Sequence, residues 1–151
     1  MTNDDLSLTI SRIFTASSHS VFSAWTDPNG LRSWWEPGGT AVESAQIDLR
    51  AGGGYCIKST APQRNLIIII SGTYQEVNIP HYLVYTWTWQ EAADTLLVED
   101  SLVTVEFETL GTQTQVALVH TKFPSLLARD RHFDGWQQTL ESFDHYLSTR
   151  K

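Results

Sequence analysis

Two histidines are the side chains of this sequence best suited to move a proton. His120 ends a stretch in which every second residue is apolar, in phase with Val116 and Leu118, so it should face the inside of a sheet. There it could serve as a general base or as a polar anchor for a ligand. The alternative is a histidine at a cavity rim that bonds to backbone or water, since the sequence places no carboxylate to orient it.

His132 is the second candidate, and it lies one helical turn before Trp136. A neutral imidazole at that position could close the mouth of a cavity or meet the polar end of a ligand. The alternative is structural packing against a short helix that carries Trp34 and Trp35. The sequence leaves both roles open.

No other residues form a pattern for catalysis or metal binding. The five histidines lack metal-ligand spacing, and the single cysteine, Cys56, has no neighbour that would make a thiolate site. A Gly-x-Ser-x-Gly elbow does not occur in the sequence. The glycines from Gly52 to Gly54 precede a predicted strand, which indicates a tight turn or bulge and not a phosphate-binding loop. The sequence therefore predicts no metal, no cofactor and no catalytic residue set.

Seven strands are needed to position these residues. Leu6, Leu8 and Ile10 alternate with polar residues and predict the first strand. Six further strands are predicted over residues 42–49, 53–59, 66–77, 81–89, 99–109 and 112–120, and residues 90–96 are predicted to form a loop. Since no spacer between these six strands is long enough for a crossover helix, neighbouring strands should be antiparallel.

Three helices complete the predicted fold. Residues 16–18 offer an N-cap for a short helix that Asp27 and Pro28 end, and a second short helix is predicted over residues 29–35. A long helix is predicted over about residues 125–148. Its apolar face carries Phe133, Trp136, Leu140, Phe143 and Leu147. One amphipathic helix beside a large sheet must bury that face against the sheet.

Charge and composition exclude several classes of partner. The 17 acidic and 10 basic residues give a net charge of −7 at pH 7, and the lysines and arginines are scattered, so neither nucleic acid nor an anionic membrane surface is expected to bind. One cysteine, a polar and acidic N-terminus, and a longest apolar run of only Leu66 to Ile70 indicate a cytoplasmic protein without a leader or membrane span. We expect one domain over residues 1–151, with its core over about 6–148.

Several segments, taken in order, resemble a known family. They are Phe22 to Pro28 followed by Leu31 and Trp34-Trp35, Ile47 to Gly53, Leu83 to Trp87, and His132 to Trp136 followed by Leu140 and Phe143. Over about Leu8 to Leu147 the chain resembles the domain family named for the activator of the heat-shock-protein-90 ATPase, within the START-like helix-grip superfamily. The resemblance implies an α+β fold of order β-α-α-β6-α, in which a curved seven-stranded antiparallel sheet wraps around the long helix and leaves an internal cavity. By analogy alone it also suggests a homodimer.

The implied fold directs one set of side chains toward the gap between sheet and helix. The expected cavity residues are Trp35, Tyr55, Tyr85, Trp87, Val105, Phe107, Leu118, His120, His132, Trp136 and Leu140. Six tryptophans in so short a chain suggest either a large core or an aromatic-lined pocket, because a buried indole N–H needs a partner. Core filling and ligand contact are both open for the aromatic members of the set.

An apolar cavity lined by aromatic residues and a few polar groups is the usual site for a small molecule. The favoured function is therefore binding of a small hydrophobic or aromatic molecule, as carrier or sensor. The first alternative is a cofactor-free cyclase or hydratase with His120 or a cavity tyrosine as proton shuttle, which requires a cavity-facing polar group with a shifted pKa. The second is a co-chaperone-like interaction module, which predicts an exposed apolar patch outside the cavity and allows the cavity to be filled by the protein's own side chains.

Overall fold

A computed structural model of the protein describes residues 6–91 and 97–149. Within these ranges the chain forms seven strands, three α-helices and two short 3₁₀ turns. In chain order these are β1 (Leu8–Phe14), α1 (Ser18–Thr26), α2 (Pro28–Trp34), a 3₁₀ turn (Pro37–Gly39), β2 (Ala41–Ile47), β3 (Gly54–Ala61), a 3₁₀ turn (Pro62–Arg64), β4 (Leu66–Asn78), β5 (Tyr82–Glu91), β6 (Leu97–Leu110), β7 (Gln113–Thr121) and α3 (Leu126–Thr149).

The seven strands form a single sheet in the order β1-β7-β6-β5-β4-β3-β2, and every neighbouring pair is antiparallel. The sheet is curved, and α3 packs against its inner face, so the predicted helix-grip α+β fold is confirmed. Strands β2 to β7 and helix α3 each begin and end within two residues of their predicted bounds. Among the described residues, no helix is both long and apolar enough to cross a membrane.

Two strands extend beyond the alternation that predicts them. Strand β1 continues to Phe14, past Arg12, which breaks the apolar pattern and lies 3.1 Å from Asp144 of α3. The predicted loop over residues 90–96 begins too early, since Gln90 pairs with Leu97 and β5 runs to Glu91. Residues 92–96 of that predicted loop lie outside the described residues.

Short-range capping explains why the first two helices begin and end where predicted. The Ser17 hydroxyl accepts a hydrogen bond from the backbone N–H of Ser20 at 3.2 Å and so caps α1. Asp27 then serves both helices: its backbone N–H closes α1, and its carboxylate accepts from the backbone N–H of Asn29 at the start of α2. Both helices are therefore fixed at one end of the sheet, where α2 contacts α3 and β2.

The glycine triplet forms the predicted turn between β2 and β3. Gly53 donates to the carbonyl of Arg50 and accepts from the backbone N–H of Tyr74 at 2.8 Å each. A Cβ atom at Gly53 would lie 2.1 Å from the carbonyl oxygen of Asp48, so only glycine fits without a backbone shift. The triplet thus closes a turn against β4 and is followed by a strand, as the sequence indicates.

The core fills the space between the sheet and α3 with aromatic rings. Trp34 is fully buried and lies 4.3 Å from Phe143 of α3, measured between ring centroids. Its indole N–H donates to the carbonyl of Ala24 at 2.9 Å, and the indole N–H of Trp25 donates to the Tyr85 hydroxyl at 3.3 Å. Because these large rings satisfy their polar atoms internally, they occupy the middle of the gap as ordinary core residues.

Candidate functional site

A cavity of about 270 Å³ lies at one end of the gap between the sheet and α3. Three elements form its walls: the 3₁₀ turn after α2, the end of β5, and the first half of α3. Its lining residues are Trp35, Pro37, Gly38, Trp87, Trp89, Glu91, Arg131, His132, Asp134, Gly135, Trp136, Gln138 and Thr139. Four of the six tryptophans of the chain therefore meet at this one place.

Four of the eleven expected cavity residues line this cavity: Trp35, Trp87, His132 and Trp136. The other seven are buried in the core and do not belong to the lining: Tyr55, Tyr85, Val105, Phe107, Leu118, His120 and Leu140. They lie within the core, where neighbouring side chains pack against them. Phe107, for example, lies 5.1 Å from Phe22 and 5.8 Å from Trp25, between ring centroids.

Three of the nine lining residues that were not expected follow two readable patterns. Trp89 and Glu91 continue the alternation of Trp87 along β5, and Thr139 lies one to two helical turns beyond His132 and Gly135 on α3. Extending those two periods from the expected residues would have found them. Pro37 and Gly38 lie in the turn after α2, where neither period applies.

The tryptophan rings meet as a corner and not as a flat wall. Trp35 stands at 63° to Trp87 and at 76° to Trp136, with ring centroids 6.0 and 5.9 Å apart. Trp89 stacks beside Trp87 at an angle of 21°. Two indole planes at steep angles give an aromatic ligand both a face and an edge to contact.

A chain of buried hydrogen bonds holds these rings, and its first part joins α3 to the sheet. The indole N–H of Trp136 donates to Nδ1 of His120 at 3.1 Å. Because an indole nitrogen can only donate, His120 must carry its proton on Nε2, which then donates to Oγ of Ser101 at 2.8 Å. The Ser101 hydroxyl in turn donates to the backbone carbonyl of Trp87 at 2.7 Å.

The second part of the chain returns from the sheet to α3. The indole N–H of Trp87 donates to Nε2 of His132 at 3.1 Å. His132 therefore carries its proton on Nδ1, which donates to the backbone carbonyl of Ala128 at 3.0 Å. Trp87 and Trp136, two walls of the cavity, are thus fixed by hydrogen bonds as well as by packing.

Both histidines of this hydrogen-bond chain, His120 and His132, are kept neutral. Burial lowers the pKa of His132 from 6.5 to about 4, and the hydrogen bond to the Ala128 carbonyl offsets only part of this effect. Burial also holds the pKa of His120 well below its ordinary value, and the nearby His132 adds to the shift. Each ring has one nitrogen that accepts and one that donates within the protein, so all four ring nitrogens are engaged.

The histidine positions agree in part with the sequence reading. His120 does face the inside of the sheet, but it is completely buried and not at a cavity rim. His132 lines the cavity, and its ring centroid lies 5.1 Å from that of Trp89 and 5.0 Å from that of Phe123.

One wall residue carries an unused hydrogen-bond donor. Among residues 6–91 and 97–149, the indole nitrogen of Trp35 is buried and finds no hydrogen-bond partner, and the same holds for the hydroxyl of Ser59 on β3. An unsatisfied buried donor costs about 1–3 kcal/mol. Trp35 therefore differs from Trp87 and Trp136, whose donors are paired.

The acidic and basic groups near the cavity do not assemble a metal centre. Across residues 6–91 and 97–149, no three His, Cys, Asp or Glu side chains come together to hold an ion. Glu91 is engaged in a different contact, since its Oε1 accepts from the indole N–H of Trp89 at 2.9 Å.

Comparison with solved structures finds close relatives of this fold. A protein from Chromobacterium violaceum has a TM-score of 0.82 and 22% sequence identity over 94% of this chain and 96% of its own. The AHSA1 protein from Silicibacter pomeroyi also gives 0.82 with 22% identity, over 96% of this chain and 99% of its own. The AHSA1-like protein from Aeromonas hydrophila gives 0.75 with 20% identity, over 94% of this chain and 93% of its own. These likenesses concern the fold.

Comparison with protein families assigns the chain more directly. No curated protein matches the sequence. The model of the family described as activator of Hsp90 ATPase homolog 1-like protein matches residues 15–148, which is most of the chain. The resemblance drawn from the ordered segments is therefore confirmed, and the chain belongs to the family of activator of Hsp90 ATPase homolog 1-like proteins.

Proposed function

We propose that this protein binds a small hydrophobic or aromatic molecule in the cavity between β5 and α3, as a carrier or sensor. The observation that carries the proposal is the convergence of Trp35, Trp87, Trp89 and Trp136 on one cavity of about 270 Å³. Concave sites with aromatic walls and a few polar groups are where proteins bind small molecules.

The size of the cavity points to a ligand of one or two rings. Its volume of about 270 Å³ lies near the lower end of the range of roughly 300–1,000 Å³ typical of small-molecule pockets. Burial of apolar ligand surface would contribute about 25 cal/mol per Å², before the entropy costs of binding are subtracted. A ligand that covers the tryptophan faces therefore gains most of its affinity from the walls.

The walls are fixed before any ligand arrives, which supports a binding role. Trp87 and Trp136 are held by their bonds to His132 and His120, so little side-chain ordering remains to oppose association. The open cavity also distinguishes this reading from an interaction module whose cavity is filled by its own side chains. A single exposed cysteine, Cys56, is consistent with a reducing, cytoplasmic location for such a carrier.

His132 is a cavity-lining group with a lowered pKa, as the enzyme alternative requires, but its hydrogen bonds favour binding over proton transfer. A general base needs a nitrogen free to take the substrate's proton within hydrogen-bond reach. Both nitrogens of His132 and of His120 already bond to protein atoms, and protonating either ring would place an N–H against an indole N–H. The hydrogen bonds that fix the cavity walls thus occupy the groups that catalysis would use.

Filling the cavity from α3 tests this proposal. Gly135 lines the cavity, and a Cβ atom there would meet nothing within 4 Å, so Gly135→Leu places a side chain in the ligand space without a backbone clash. Leucine in a helix interior is also more favourable than glycine by about 1 kcal/mol, which protects the fold. Gln137→Leu, on the exposed side of the same helix, is the matched control.

The measurement is solvent extraction and mass spectrometry of the protein purified from its native host. The natural sequence and Gln137→Leu should carry the same small molecule at close to one equivalent, and Gly135→Leu should have lost it. If Gly135→Leu retained that molecule at the same level, the cavity would not be the binding site. If the natural protein carried none and bound no member of a panel of one- and two-ring compounds, the carrier proposal would be refuted.

A further inference from the structure

The charges around the cavity carry information about the ligand beyond its apolar character. Three charged side chains line it: Glu91 on β5, and Arg131 and Asp134 on α3. Two are acidic and one is basic, so the described lining has one negative charge in excess, on a protein whose net charge is already −7. The acidic groups come from both sides of the cavity, one from the sheet and one from the helix.

Glu91 is held against the aromatic wall. Its Oε1 accepts from the indole N–H of Trp89 at 2.9 Å, and the side chain is half-buried. A carboxylate fixed in this way presents its remaining lone pairs next to the stacked rings of Trp87 and Trp89, whose planes differ by 21°. A carboxylate fixed at the edge of the Trp89 ring adds a full negative charge to a cavity wall made of indole rings, and both features attract a cation.

The indole rings themselves favour the same ligand charge. An indole face carries partial negative charge and attracts an ammonium group within about 6 Å of the ring centre, more strongly than tyrosine or phenylalanine does. Here Trp35 meets Trp87 and Trp136 at steep angles, so a group in the corner contacts more than one ring. His132, the ring that could have opposed a cation from the cavity wall, is neutral because both of its nitrogens are committed as donor and acceptor.

We infer that the cavity is selective for a small organic cation, an alkylated or aromatic ammonium compound. This inference rests on the proposed binding function and adds the charge of the ligand. The apolar body lies in the corner formed by Trp35, Trp87 and Trp136, and the ammonium group lies toward Glu91 and Asp134. Arg131 lies in the same lining and would favour a ligand with a carboxylate, which is the opposite result in the test below.

Three compounds of nearly equal shape separate these outcomes. Phenyltrimethylammonium is a cation, tert-butylbenzene is its neutral isostere, and benzoate is an anion of similar size. A cavity that recognised apolar surface alone would bind the neutral isostere most tightly, because removing a charge from water is costly. We expect instead that phenyltrimethylammonium binds about tenfold tighter than tert-butylbenzene, the gain expected for an enclosed aromatic and carboxylate site.

Variants assign that preference to Glu91. Glu91→Gln keeps an acceptor for Trp89 but removes the charge, and we expect it to weaken phenyltrimethylammonium binding about fivefold while leaving tert-butylbenzene unchanged. Glu141→Gln, an exposed acidic residue of α3 outside the cavity lining, should leave both affinities unchanged. Affinities would be measured by ligand-observed NMR titration of the full-length protein at neutral pH and low salt.

The outcomes separate this inference from the proposed function. Tighter binding of the cation, weakened by Glu91→Gln alone, supports both. Tighter binding of tert-butylbenzene or of benzoate overturns the charge selectivity and keeps the cavity as a binding site. If none of the three compounds bound, the proposed function would fail for ligands of this size, and the charge selectivity would fail with it.

Discussion

Acidification should destabilise this protein in a pH range set by its two buried histidines. In the folded chain His132 accepts from Trp87 through Nε2, and His120 accepts from Trp136 through Nδ1. Protonation of either ring would turn that acceptor into a donor and leave two N–H groups facing each other. In the unfolded chain the same histidines are free to protonate at their ordinary pKa.

The sign and magnitude follow from the difference in pKa between the two states. Below pH 6.5 the unfolded chain takes up a proton on His132, whereas the folded chain does not do so until the pH approaches 4. The unfolded state therefore binds more protons between these values, and the free energy of unfolding falls as the pH falls. A pKa difference of this size corresponds to about 3 kcal/mol lost from His132 alone, and His120 adds to the loss in the same direction.

The assay is urea unfolding followed by tryptophan fluorescence at several pH values between about 7 and 4. His132→Gln removes the titrating group but keeps an acceptor for Trp87. Its stability should therefore fall less over this range than that of the natural protein, by about 3 kcal/mol. His145→Gln, on the exposed surface of α3, controls for the loss of a histidine and should follow the natural protein.

The comparison is decisive because both variants retain the carboxylates that contribute to acid unfolding in every case. If the natural protein and His132→Gln lost the same stability between pH 7 and 4, His132 would not be held neutral by the fold. The tautomers assigned to the hydrogen-bond chain would then be wrong as well.

Two further substitution pairs test the packing and the turn. Trp87→Phe leaves a buried histidine acceptor unpaired, whereas Trp35→Phe removes a donor that has no partner among the described residues. In urea unfolding, Trp87→Phe should therefore lower the free energy of unfolding by about 1–3 kcal/mol more than Trp35→Phe does. Equal losses would contradict the assigned hydrogen bonds. Gly53→Ala places a Cβ atom 2.1 Å from the carbonyl oxygen of Asp48, so it should lower the free energy of unfolding by more than about 2 kcal/mol in thermal unfolding. The matched control is Gly54→Ala, whose Cβ atom would lie 3.6 Å from the nearest backbone oxygen, and it should lose less than about 1 kcal/mol. A mild Gly53→Ala would mean that the turn adapts.

The sequence predicted the fold well because the relevant signals are local. Alternation along β5 to β7, the capping residues Ser17 and Asp27, and the glycine turn at Gly53 are each encoded within a few residues. The ends of β1 and β5 extend beyond the apolar alternation. Arg12 interrupts the alternation in β1, which continues to Phe14, and Gln90 and Glu91 are both polar but still pair with the neighbouring strands β6 and β4.

The cavity lining was predicted only in part because it depends on which inward-facing side chains are covered by their neighbours. Periodicity reports that Tyr85, Phe107 and Leu118 face inward, but it does not report which neighbours cover them, such as the Trp25 ring beside Phe107. The hydrogen-bond chain could not be predicted from the sequence for a similar reason. Ser101 meets Trp87 and His120 only because the register of β5, β6 and β7 places them together.

The division of the gap into core and cavity follows from where large side chains find partners. In the core, tryptophans 25 and 34 satisfy their donors within the packed rings. In the cavity wall, tryptophans 87 and 136 direct their donors into the buried histidines 132 and 120, while their rings line the cavity. The buried histidines thus have a structural effect with a functional consequence: by accepting the indole N–H groups, they leave an aromatic surface available to a ligand. Because the walls depend on neutral histidines, we expect the stability of the fold and ligand binding in the cavity to be lost over the same pH range.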